Sequence, residues 1–506
     1  MPTTTSRTTG SRLRRLALLT LAVPLALGAA VVLLPGQRLG EVVAALTQHT
    51  PGEWVRYAQR RLEGHPQLQA VGAPVLQTLQ RRLEREVPAL LPTLGKGQQP
   101  QALAPQRYTE AGRPLALAAP TSPEGPAVGG VLLHGEAEIA AAMQRARPGQ
   151  QLVVASGHYR FTQALHTGGG GTATAPIVLT ALRPGTVTLE FEAVEGITVS
   201  QPHWVFENLH LRGVCVRHGD CEHAFHVVGK AHATVLRNNL IEDFNAHVKI
   251  NGQGGQWPDD GLLQFNTIRN SGARDTDKPV TPVDIVGADG WQVVDNVVAH
   301  FVKAQGNRAS FGVFMKGGGH NGRIERNLVV CTAQDVSQPG TRAGLSMGGG
   351  GTGGAFCRDA RCDAEHRDGR VINNIVAHCN DAGIHVFRAA GIVVAHNTLV
   401  NTAGIDVRVP PAQAQVHANV LDGPVRARDG GLVKAWDNVD GDWAGSPQRA
   451  DALQIEPQPA AGQGDAADVA SAALDFCAKP RTVPGVPGAV ASGVPCAEPV
   501  ARVSKP

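Results

Sequence analysis

Aromatic residues are scarce in this sequence of 506 residues, at 4% of the chain, while glycine and proline are abundant, at 60 and 34 residues. A chain with few bulky side chains and many glycines and prolines favours frequent turns and small-residue packing over a helical core. Its length is enough for one large domain with accessory segments. The composition therefore bears on the class of fold and leaves the function open.

An excess of charge of one sign is also missing, because 46 basic residues are matched by 43 acidic ones. Outside the extreme N-terminus the sequence has no cluster of basic residues, and we therefore expect no nucleic-acid partner. Neither G-x-S-x-G nor H-E-x-x-H occurs, and the run GGGGTGG follows no nucleotide-binding strand–helix pattern. These absences argue against a serine hydrolase, a zinc protease and a nucleotide-binding enzyme.

No acidic residue occurs before Glu41, and four arginines precede the uncharged run LALLTLAVPLALGAAVVLL at 16–34. These 19 residues would span about 28 Å as a helix, close to the thickness of a bilayer's hydrocarbon core. Arginines of this kind stay cytoplasmic, so residues 1–36 are predicted to form a cytoplasmic tail and a signal anchor in the inner membrane. The remainder would be periplasmic or extracellular. A cleaved signal peptide is the alternative, since LGAA offers small residues.

Two further segments differ from the main domain. Residues 37–126 contain apolar residues at helical spacing, followed by the Gln/Pro/Ala-rich stretch GKGQQPQALAPQ. They are predicted to form short helices and a tether, with a disordered spacer as the alternative. Residues 446–506 are rich in proline, alanine and glycine. They are predicted to be an irregular C-terminal tail held by a disulfide between Cys477 and Cys496.

One pattern recurs along the rest of the chain, an asparagine flanked by apolar residues, as in RNNLIE, VDNVVA and ERNLVV. Successive asparagines are 19 to 31 residues apart, with one interval of 47. This spacing is typical of a solenoid with short coils and one insertion, and no coil has the leucine pattern of leucine-rich repeats. The sequence therefore predicts an all-β fold, a right-handed parallel β-helix over residues 127–445, with an asparagine ladder along one edge. The predicted ladder contains Asn208, Asn239, Asn266, Asn296, Asn327, Asn374, Asn397, Asn419 and Asn438.

The eight cysteines support export. None forms the tight C-x-x-C pair that a zinc site prefers, so disulfides in an oxidising compartment are predicted. Cys331 and Cys379 occupy similar places in the repeat, shortly after Asn327 and Asn374. The cysteines are Cys215 with Cys221, Cys357 with Cys362, Cys477 with Cys496, and the two similarly placed residues Cys331 and Cys379.

A second strand aligns across seven coils, in segments such as VKING, VDIVG, VFMKG and IHVFR. The first and third positions are apolar or sulfur-bearing throughout and are predicted to face the core. The second and fourth positions then point outward as two columns. The second-position column is His226, Lys249, Asp284, Phe314, Ser346, His385 and Asp406, and the fourth-position column includes Asn251, Lys316, Phe387 and Arg408.

These columns predict a binding face. Stacked strands lie about 4.8 Å apart, so Lys249, Asp284 and Lys316 would fall within two coil steps. The mixture of lysine, carboxylate, histidine and aromatic side chains suits an extended carbohydrate polymer. The alternative is that the lysines only solubilise the outer face. We expect Lys249, Asn251, Asp284, Phe314, Phe387 and Arg408 to bind the polymer.

Two stretches, EIAAAMQRARPGQQLVVASGHYRF (138–161) and GTATAPIVLTALRPGTVTLEF (171–191), resemble the N-terminal cap and first coils of pectate-lyase-like β-helix proteins. The most similar type is that of chondroitinase B and the alginate lyases. The resemblance implies a lysine base, for which Lys316 is the match, and an assisting arginine. Where that arginine is expected the sequence reads LSMGGGG, so Arg342 and Arg308 are the nearby candidates. The calcium ligands of that family have no clear match in this sequence, and Asp284, Asp259 and Asp260 are only candidate oxygen ligands.

The chemistry of the same residues favours elimination. Cleavage of a uronic-acid polymer by β-elimination needs a base and a cation that neutralises the sugar carboxylate. Lys316 as base, Arg308 or Arg342 as cation and His385 as auxiliary acid would suffice. Hydrolysis needs two carboxyl groups about 5 to 9.5 Å apart, whereas Asp284 and Asp406 would be about 19 Å apart. An epimerase, a hydrolase using another acid, and a non-catalytic glycan-binding or envelope scaffold protein remain alternatives.

Overall fold

The computed structural model describes residues 75–76, 130–332, 340–349, 352–441, 473–478, 480–481 and 486–490. Residues 75 and 76 are helical. The predicted anchor and nearly all of the predicted tether lie outside the described residues. Within the described ranges, no helix is both long enough and apolar enough to cross a membrane.

The described chain from 131 to 440 is a parallel β-helix of short strands, numbered β1 to β36 along the sequence. From β7 onward each coil visits three long sheets in turn, and every ladder between successive coils is parallel, as in the pairs β7–β10, β8–β11 and β9–β12. No coil can bury its apolar face alone, so stacked coils share one continuous core. The prediction of an all-β parallel β-helix is confirmed.

The first long sheet, sheet I, has twelve strands. They are β1 (Val131–Leu133), β2 (Gln151–Val154), β5 (Ile177–Ala181), β8 (Trp204–Glu207), β11 (Val235–Arg237), β14 (Leu262–Gln264), β17 (Gln292–Val294), β21 (Arg323–Glu325), β25 (Arg370–Ile372), β29 (Ile392–Ala395), β32 (Gln413–His417) and β35 (Leu432–Trp436).

Sheet II has ten strands and contains the predicted binding face. They are β4 (Leu165–His166), β7 (Glu195–Val199), β10 (His223–Val228), β13 (Val248–Asn251), β16 (Val283–Val286), β19 (Ala309–Lys316), β23 (Thr341–Met347), β27 (Ile384–Phe387), β31 (Ile405–Arg408) and β34 (Val425–Arg428).

Sheet III has eleven strands, and a small fourth sheet has three. Sheet III contains β3 (Gly157–Phe161), β6 (Val187–Phe191), β9 (His210–Gly213), β12 (Leu240–Glu242), β15 (Thr267–Arg269), β18 (Val297–Ala299), β22 (Leu328–Val330), β26 (Ile375–Ala377), β30 (Thr398–Val400), β33 (Val420–Leu421) and β36 (Val439–Asp440). The small sheet contains β20 (Gly319–His320), β24 (His366–Arg367) and β28 (Ala389–Ala390).

One amphipathic helix, α1 (Glu136–Arg145), follows β1. Its Ile139 and Met143 are fully buried in the same hydrophobic cluster as the first coils. Two acidic residues in its first turn and an arginine in its last turn complement the helix dipole. The helix therefore covers apolar surface at the start of the solenoid, as the resemblance implied.

An asparagine ladder runs between sheets I and III. In each step the Nδ2 atom of one asparagine donates to the Oδ1 atom of the next, as from Asn296 to Asn327 and from Asn327 to Asn374, both at 3.0 Å. The ladder extends from Asn239 to Asn438. The prediction is wrong for Asn208, because Glu207 pairs with Arg237 and Leu209 therefore occupies the ladder position beside Asn239.

The residue before each ladder position has a positive φ. The values lie between +50° and +62° in successive coils, at Asn208, Asn238, Phe265, Asp295, Arg326, Asn373, His396, Ala418 and Asp437. A left-handed residue costs roughly 1 kcal/mol for most side chains, and here it turns the chain sharply from sheet I to sheet III. The buried asparagine that follows satisfies the backbone groups exposed by this corner.

Three disulfides join described cysteines, Cys215–Cys221, Cys331–Cys379 and Cys357–Cys362. The first and third are the predicted local pairs. The second links the ends of β22 and β26, which are neighbours in sheet III. Cys477 is also disulfide-bonded, while its predicted partner Cys496 lies outside the described residues.

Part of the C-terminal tail packs on sheet III. Phe476, Cys477, Ala489 and Val490 form a second apolar cluster with outward side chains of that sheet. The buried guanidinium of Arg481 donates to the Asn373 side chain and to backbone carbonyls of the tail itself. The described parts of the tail thus pack against the solenoid, a contact that the sequence did not predict.

Candidate functional site on the outer face of sheet II

Strand register confirms both predicted columns on sheet II. The ladder pairs His226 with Lys249, Lys249 with Asp284, and Asp284 with Phe314. It continues through Ser346 to His385 and Asp406. The alternating first and third positions of all seven strands are buried in the core. The columns thus project outward from a rigid floor.

Two lysines share one carboxylate at the centre of this face. The Nζ atom of Lys249 lies 2.5 Å from Oδ2 of Asp284, and that of Lys316 lies 3.5 Å from Oδ1. The lysine side chains are each 21% exposed, whereas the Asp284 side chain is only 7% exposed. The three residues come from adjacent strands β13, β16 and β19, as predicted. We call them the lysine pair and its carboxylate.

The charge of Asp284 depends on its neighbours. Burial opposes ionisation of this carboxyl, but attraction by Lys249 and then by Lys316 outweighs it, so the pKa of Asp284 lies below its usual value. The two ammonium groups face each other across one negative charge. The arrangement therefore carries a net positive charge that remains partly open to solvent.

A second hydrogen-bonded chain borders the lysine pair. His226 contacts Glu195 at 2.8 Å through Nδ1 and the Asn251 side chain at 2.8 Å through Nε2. The hydrogen bond from His226 holds the pKa of Glu195 at about 2, against the opposing effect of burial. Asn251, a predicted binding residue, therefore links His226 to β13, the strand that also carries Lys249.

Phe314 lies beside the lysine pair but is covered. Its ring stacks on Phe311 at 4.6 Å, and the Nζ atom of Lys316 lies 4.2 Å from the Phe314 ring centre. A Cβ atom added at Gly349 would lie 2.1 Å from the same ring, so this glycine passes directly over it. Phe314 points outward as predicted. Its face is nevertheless closed to a sugar by the chain above it.

The remaining predicted residues form a separate cluster further along sheet II. His385 lies 3.9 Å from Asp406, which Arg428 also binds at 2.7 Å. Arg408 binds Asp429 at 3.0 Å and lies 5.3 Å from the Phe387 ring centre. Asp406 is four ladder steps from Asp284. At about 4.8 Å per step the two carboxylates are about 19 Å apart, too far for a hydrolytic pair.

The structure does not bring the two candidate arginines to Lys316. Arg342 pairs with Ser310, six residues before Lys316 on the same strand β19. At about 3.3 Å per residue this is about 20 Å along the strand. Arg342 is also 1% exposed, and Arg308 precedes the start of β19. Both arginines therefore belong to the opposite end of the strand from the lysine pair.

The 47-residue interval contains a strap, residues 352–365, that sequence reasoning did not place. Its Arg358 binds Asp259 through two nitrogen atoms at 2.7 and 2.9 Å and approaches Asp289 at 3.3 Å. The same guanidinium donates to the Gly287 carbonyl and lies 5.7 Å from the Trp257 ring centre. The long interval was the only sequence signal of this element.

The strap forms one wall of the lysine site. The Arg358 amide donates to the carbonyl of Gly317, directly after Lys316, and Glu365 accepts from the Gly317 amide. Gly252 and Gly287, which follow β13 and β16, lie against Trp257. The strap and this tryptophan thus line the carboxyl ends of the three strands that hold the lysine pair.

The donor set does not fit calcium. Asp259 and Asp284, two of the three predicted oxygen ligands, are engaged by Arg358 and by the lysine pair. Across the described ranges, no group of three or more histidine, cysteine or acidic side chains is arranged to hold a metal ion. A calcium ion needs six to eight oxygen ligands, which these ion pairs do not supply.

Comparison with known proteins gives structural matches only. No family model and no curated sequence matches the chain. The pectate lyase Pel9A covers 70% of this chain and 84% of its own, with 14% identity and a TM-score of 0.44. The match to an alginate lyase from Paenibacillus covers 62% of this chain and 100% of the lyase chain, with 14% identity and a TM-score of 0.38.

A rhamnogalacturonan lyase covers 60% of this chain and 81% of its own, with 11% identity and a TM-score of 0.39. The strand ladders themselves define the class of this protein, an all-β parallel β-helix with three long sheets. Its particular feature within that class is the pair of lysines on one carboxylate, walled by the strap.

Proposed function

We propose that this protein binds a uronic-acid polysaccharide across the outer face of sheet II and cleaves it by β-elimination at the lysine pair. The observation that supports the proposal is the sharing of Asp284 by Lys249 and Lys316 on a partly exposed, rigid sheet face. Elimination next to a carboxylate needs one cation and one base close together. Two lysines on the strands that flank β16, both reaching Asp284, supply both.

The two lysines differ in how tightly they are held, and this difference sets their roles. Lys249 is held by Asp284 at 2.5 Å and stays a fixed cation, suited to neutralising the sugar carboxylate. Lys316 is held only at 3.5 Å and is the group free to reach the substrate. In its neutral form Lys316 accepts the proton at C5 while the C4–O bond breaks and a C4–C5 double bond forms. The resulting ammonium returns the proton to the leaving oxygen.

This assignment gives Lys249 the role that the sequence suggested for an arginine. Arg308 and Arg342 lie at the far end of β19 and are left out of the reaction. His385 is about three ladder steps, about 14 Å, beyond Asp284 on the same face, in the cluster with Asp406. With Phe387 and Arg408 it would contact a distant sugar of the same chain.

The test is incubation of the full-length chain, in mild nonionic detergent, with a panel of uronic-acid polymers. Ultraviolet absorbance of unsaturated ends reports elimination. Lys316→Ala should lower the rate on the order of 10² to 10⁴-fold with polymer binding nearly unchanged, since it removes the proton-transfer group. Lys249→Ala should weaken both binding and rate.

A matched control is Lys434→Ala on β35, because this exposed lysine lies on sheet I rather than sheet II. It should leave rate and binding unchanged. An equal loss of elimination rate in Lys434→Ala and Lys316→Ala would contradict the assignment of Lys316 to the active site.

A non-catalytic glycan-binding protein is the second candidate. It is favoured by the same carboxylate, because an ionised Asp284 stabilises two cations that would bind anionic sugars without taking a proton. In this case the wild type binds a polymer, the binding is lost in the Lys249→Ala/Lys316→Ala variant, and no unsaturated ends form with any polymer.

We further propose that the chain is exported and held at the inner membrane by residues 16–34. The three disulfides among described residues support an oxidising compartment. Residues 1–36 fused to a phosphatase that is active only after export should give activity in the membrane fraction. Cytoplasmic, inactive fusion protein would contradict this proposal.

A further inference from the structure

A polar pocket of about 250 Å³ lies on sheet I, away from the lysine pair. Gln292, Arg323 and Arg370 line it and are direct neighbours in the strand ladder of β17, β21 and β25. Asn321, at the turn before β21, adds an amide side chain to the wall. The pocket is thus built on the rigid outer face of three consecutive coils.

Two arginines in register repel each other unless an anion separates them. Like charges directly opposite on neighbouring strands are destabilising. Arg323 binds Glu325, but this buried carboxylate is shared with Arg326. Over the ranges that the structure describes, Arg370 has no carboxylate within ion-pair distance. Arg370 therefore has no carboxylate partner among the described residues. Its neighbour on the ladder, Arg323, shares the carboxylate of Glu325 with Arg326.

The single acidic residue in the wall, Asp368, does not serve Arg370. Its carboxylate lies against Gly391, where a Cβ atom would meet Oδ1 at 2.4 Å. Its amide donates to the Ala390 carbonyl, which fixes the turn. The other polar side chains that line the pocket all carry N–H donors, two guanidinium groups and two side-chain amides.

We propose that this pocket binds an oxyanion, with Arg323 and Arg370 as its charged ligands and Gln292 and Asn321 as neutral donors. Sulfate, phosphate and carboxylate share the required chemistry, since planar guanidinium groups bind each of them through paired hydrogen bonds. The anion can be a free ion or a charged group of a polysaccharide. The pocket is independent of the lysine pair, because it lies on a different sheet.

The primary test compares thermal unfolding of the full-length chain in sodium sulfate and in sodium chloride at matched ionic strength. Sulfate should raise Tm in a saturable manner, by about 2 °C at ten times its Kd. Arg370→Gln should abolish the rise. Arg237→Gln is the matched control, since Arg237 is on the same sheet face and is already paired with Glu207 at 2.6 Å. It should keep the full rise.

A second variant keeps the proposal testable if Arg370→Gln folds poorly. Gln292→Glu places a carboxylate in register with Arg323 and so supplies an internal anion. The variant should be at least as stable as the wild type in chloride and should show no further rise in sulfate. A wild type without a sulfate-dependent rise, or an Arg370→Gln or Gln292→Glu variant that keeps it, would overturn the proposal.

Two further arms distinguish the source of the anion. Inorganic phosphate should act like sulfate, with the rise again lost in Arg370→Gln. A sulfated or carboxylated polysaccharide that stabilises the Lys249→Ala/Lys316→Ala protein, but not the same protein carrying Arg370→Gln, assigns the pocket to a polymer contact. Stabilisation by the free ions alone assigns it to a small anion. Failure of polymer cleavage affects only the lysine site.

Discussion

At the scale of single residues, Asp284 decides what the two lysines can do. It is nearly buried, and both of its oxygen atoms face an ammonium group, one at 2.5 Å and one at 3.5 Å. The difference in distance separates a fixed cation from a more loosely held one. With a neutral residue at this position, the ammonium groups of Lys249 and Lys316 would lose the negative charge that lies between them.

Asp284→Asn should therefore destabilise the fold and disable the site. Breaking a largely buried ion pair leaves its partner charges uncompensated, and we expect a loss of about 2 kcal/mol in the free energy of unfolding. Chemical denaturation at pH 7 measures it. The control Glu192→Gln breaks the exposed pair with Arg160 and should cost less than about 1 kcal/mol. Equal costs for the two variants would contradict the role of Asp284.

The pH dependence of this difference has a defined sign. Because the pKa of Asp284 is lowered in the folded protein, its contribution is present above the unfolded value of about 3.9 and is lost as pH falls through the folded value. The gap in stability between wild type and Asp284→Asn should therefore close below about pH 4.

At the scale of elements, the asparagine ladder ties the coils together. Oδ1 of Asn327 accepts from both the amide and Nδ2 of Asn296, while its own Nδ2 donates to Val293, Glu325 and Asn374. All of these groups are buried. An interior member of the ladder thus serves three coils, and an end member serves fewer.

Asn327→Ala should cost roughly 2 to 4 kcal/mol in the free energy of unfolding, because several buried donors and acceptors lose their partners. Asn438→Ala, at the half-buried end of the ladder, is the control. Within the described ranges its Oδ1 accepts only from Asn419 and its Nδ2 donates only to Val416, and we expect a cost of about 1 kcal/mol. Denaturation midpoints of the two variants test this order, and a larger effect at Asn438 would contradict it.

At the scale of the whole molecule, three buried histidines make the fold sensitive to acid. Burial lowers the pKa of His247 to about 4 and those of His366 and His396 to about 3. In the unfolded chain each would take up a proton near pH 6.5. The unfolded state therefore binds more protons below this pH, so stability falls as pH decreases from about 6.5 towards the folded values.

Each such histidine should contribute a slope of about 1.4 kcal/mol per pH unit in this window. Replacing His366 by glutamine, which can still accept from the Gly322 amide, should flatten the fall of stability between pH 6.5 and 4.5. Denaturation at a series of pH values measures the slope. The exposed His158→Gln should leave it unchanged, and an unchanged slope in His366→Gln would refute the prediction.

The sequence by itself determined the solenoid, because its information is local and repeated. Each coil needs apolar residues at alternate positions and an asparagine at the same corner, and both patterns recur along the chain. The register of sheet II, and with it the meeting of Lys249, Asp284 and Lys316, follows from aligning the coils. Parallel stacking then converts equal positions in the repeat into neighbours in space.

Only the tertiary structure decided which groups lie within reach of one another beyond this repeat. The strap returns Arg358 to Asp259, 99 residues earlier, and no local pattern encodes a contact at that separation. Arg342 looked close to Lys316 because their strands are neighbours, but its position along the strand puts it at the other end. The one-residue shift at Asn208 has the same origin, since strand pairing rather than residue type fixes the register. Repetition determines the stacking, whereas insertions and strand ends depend on packing that a single coil does not contain.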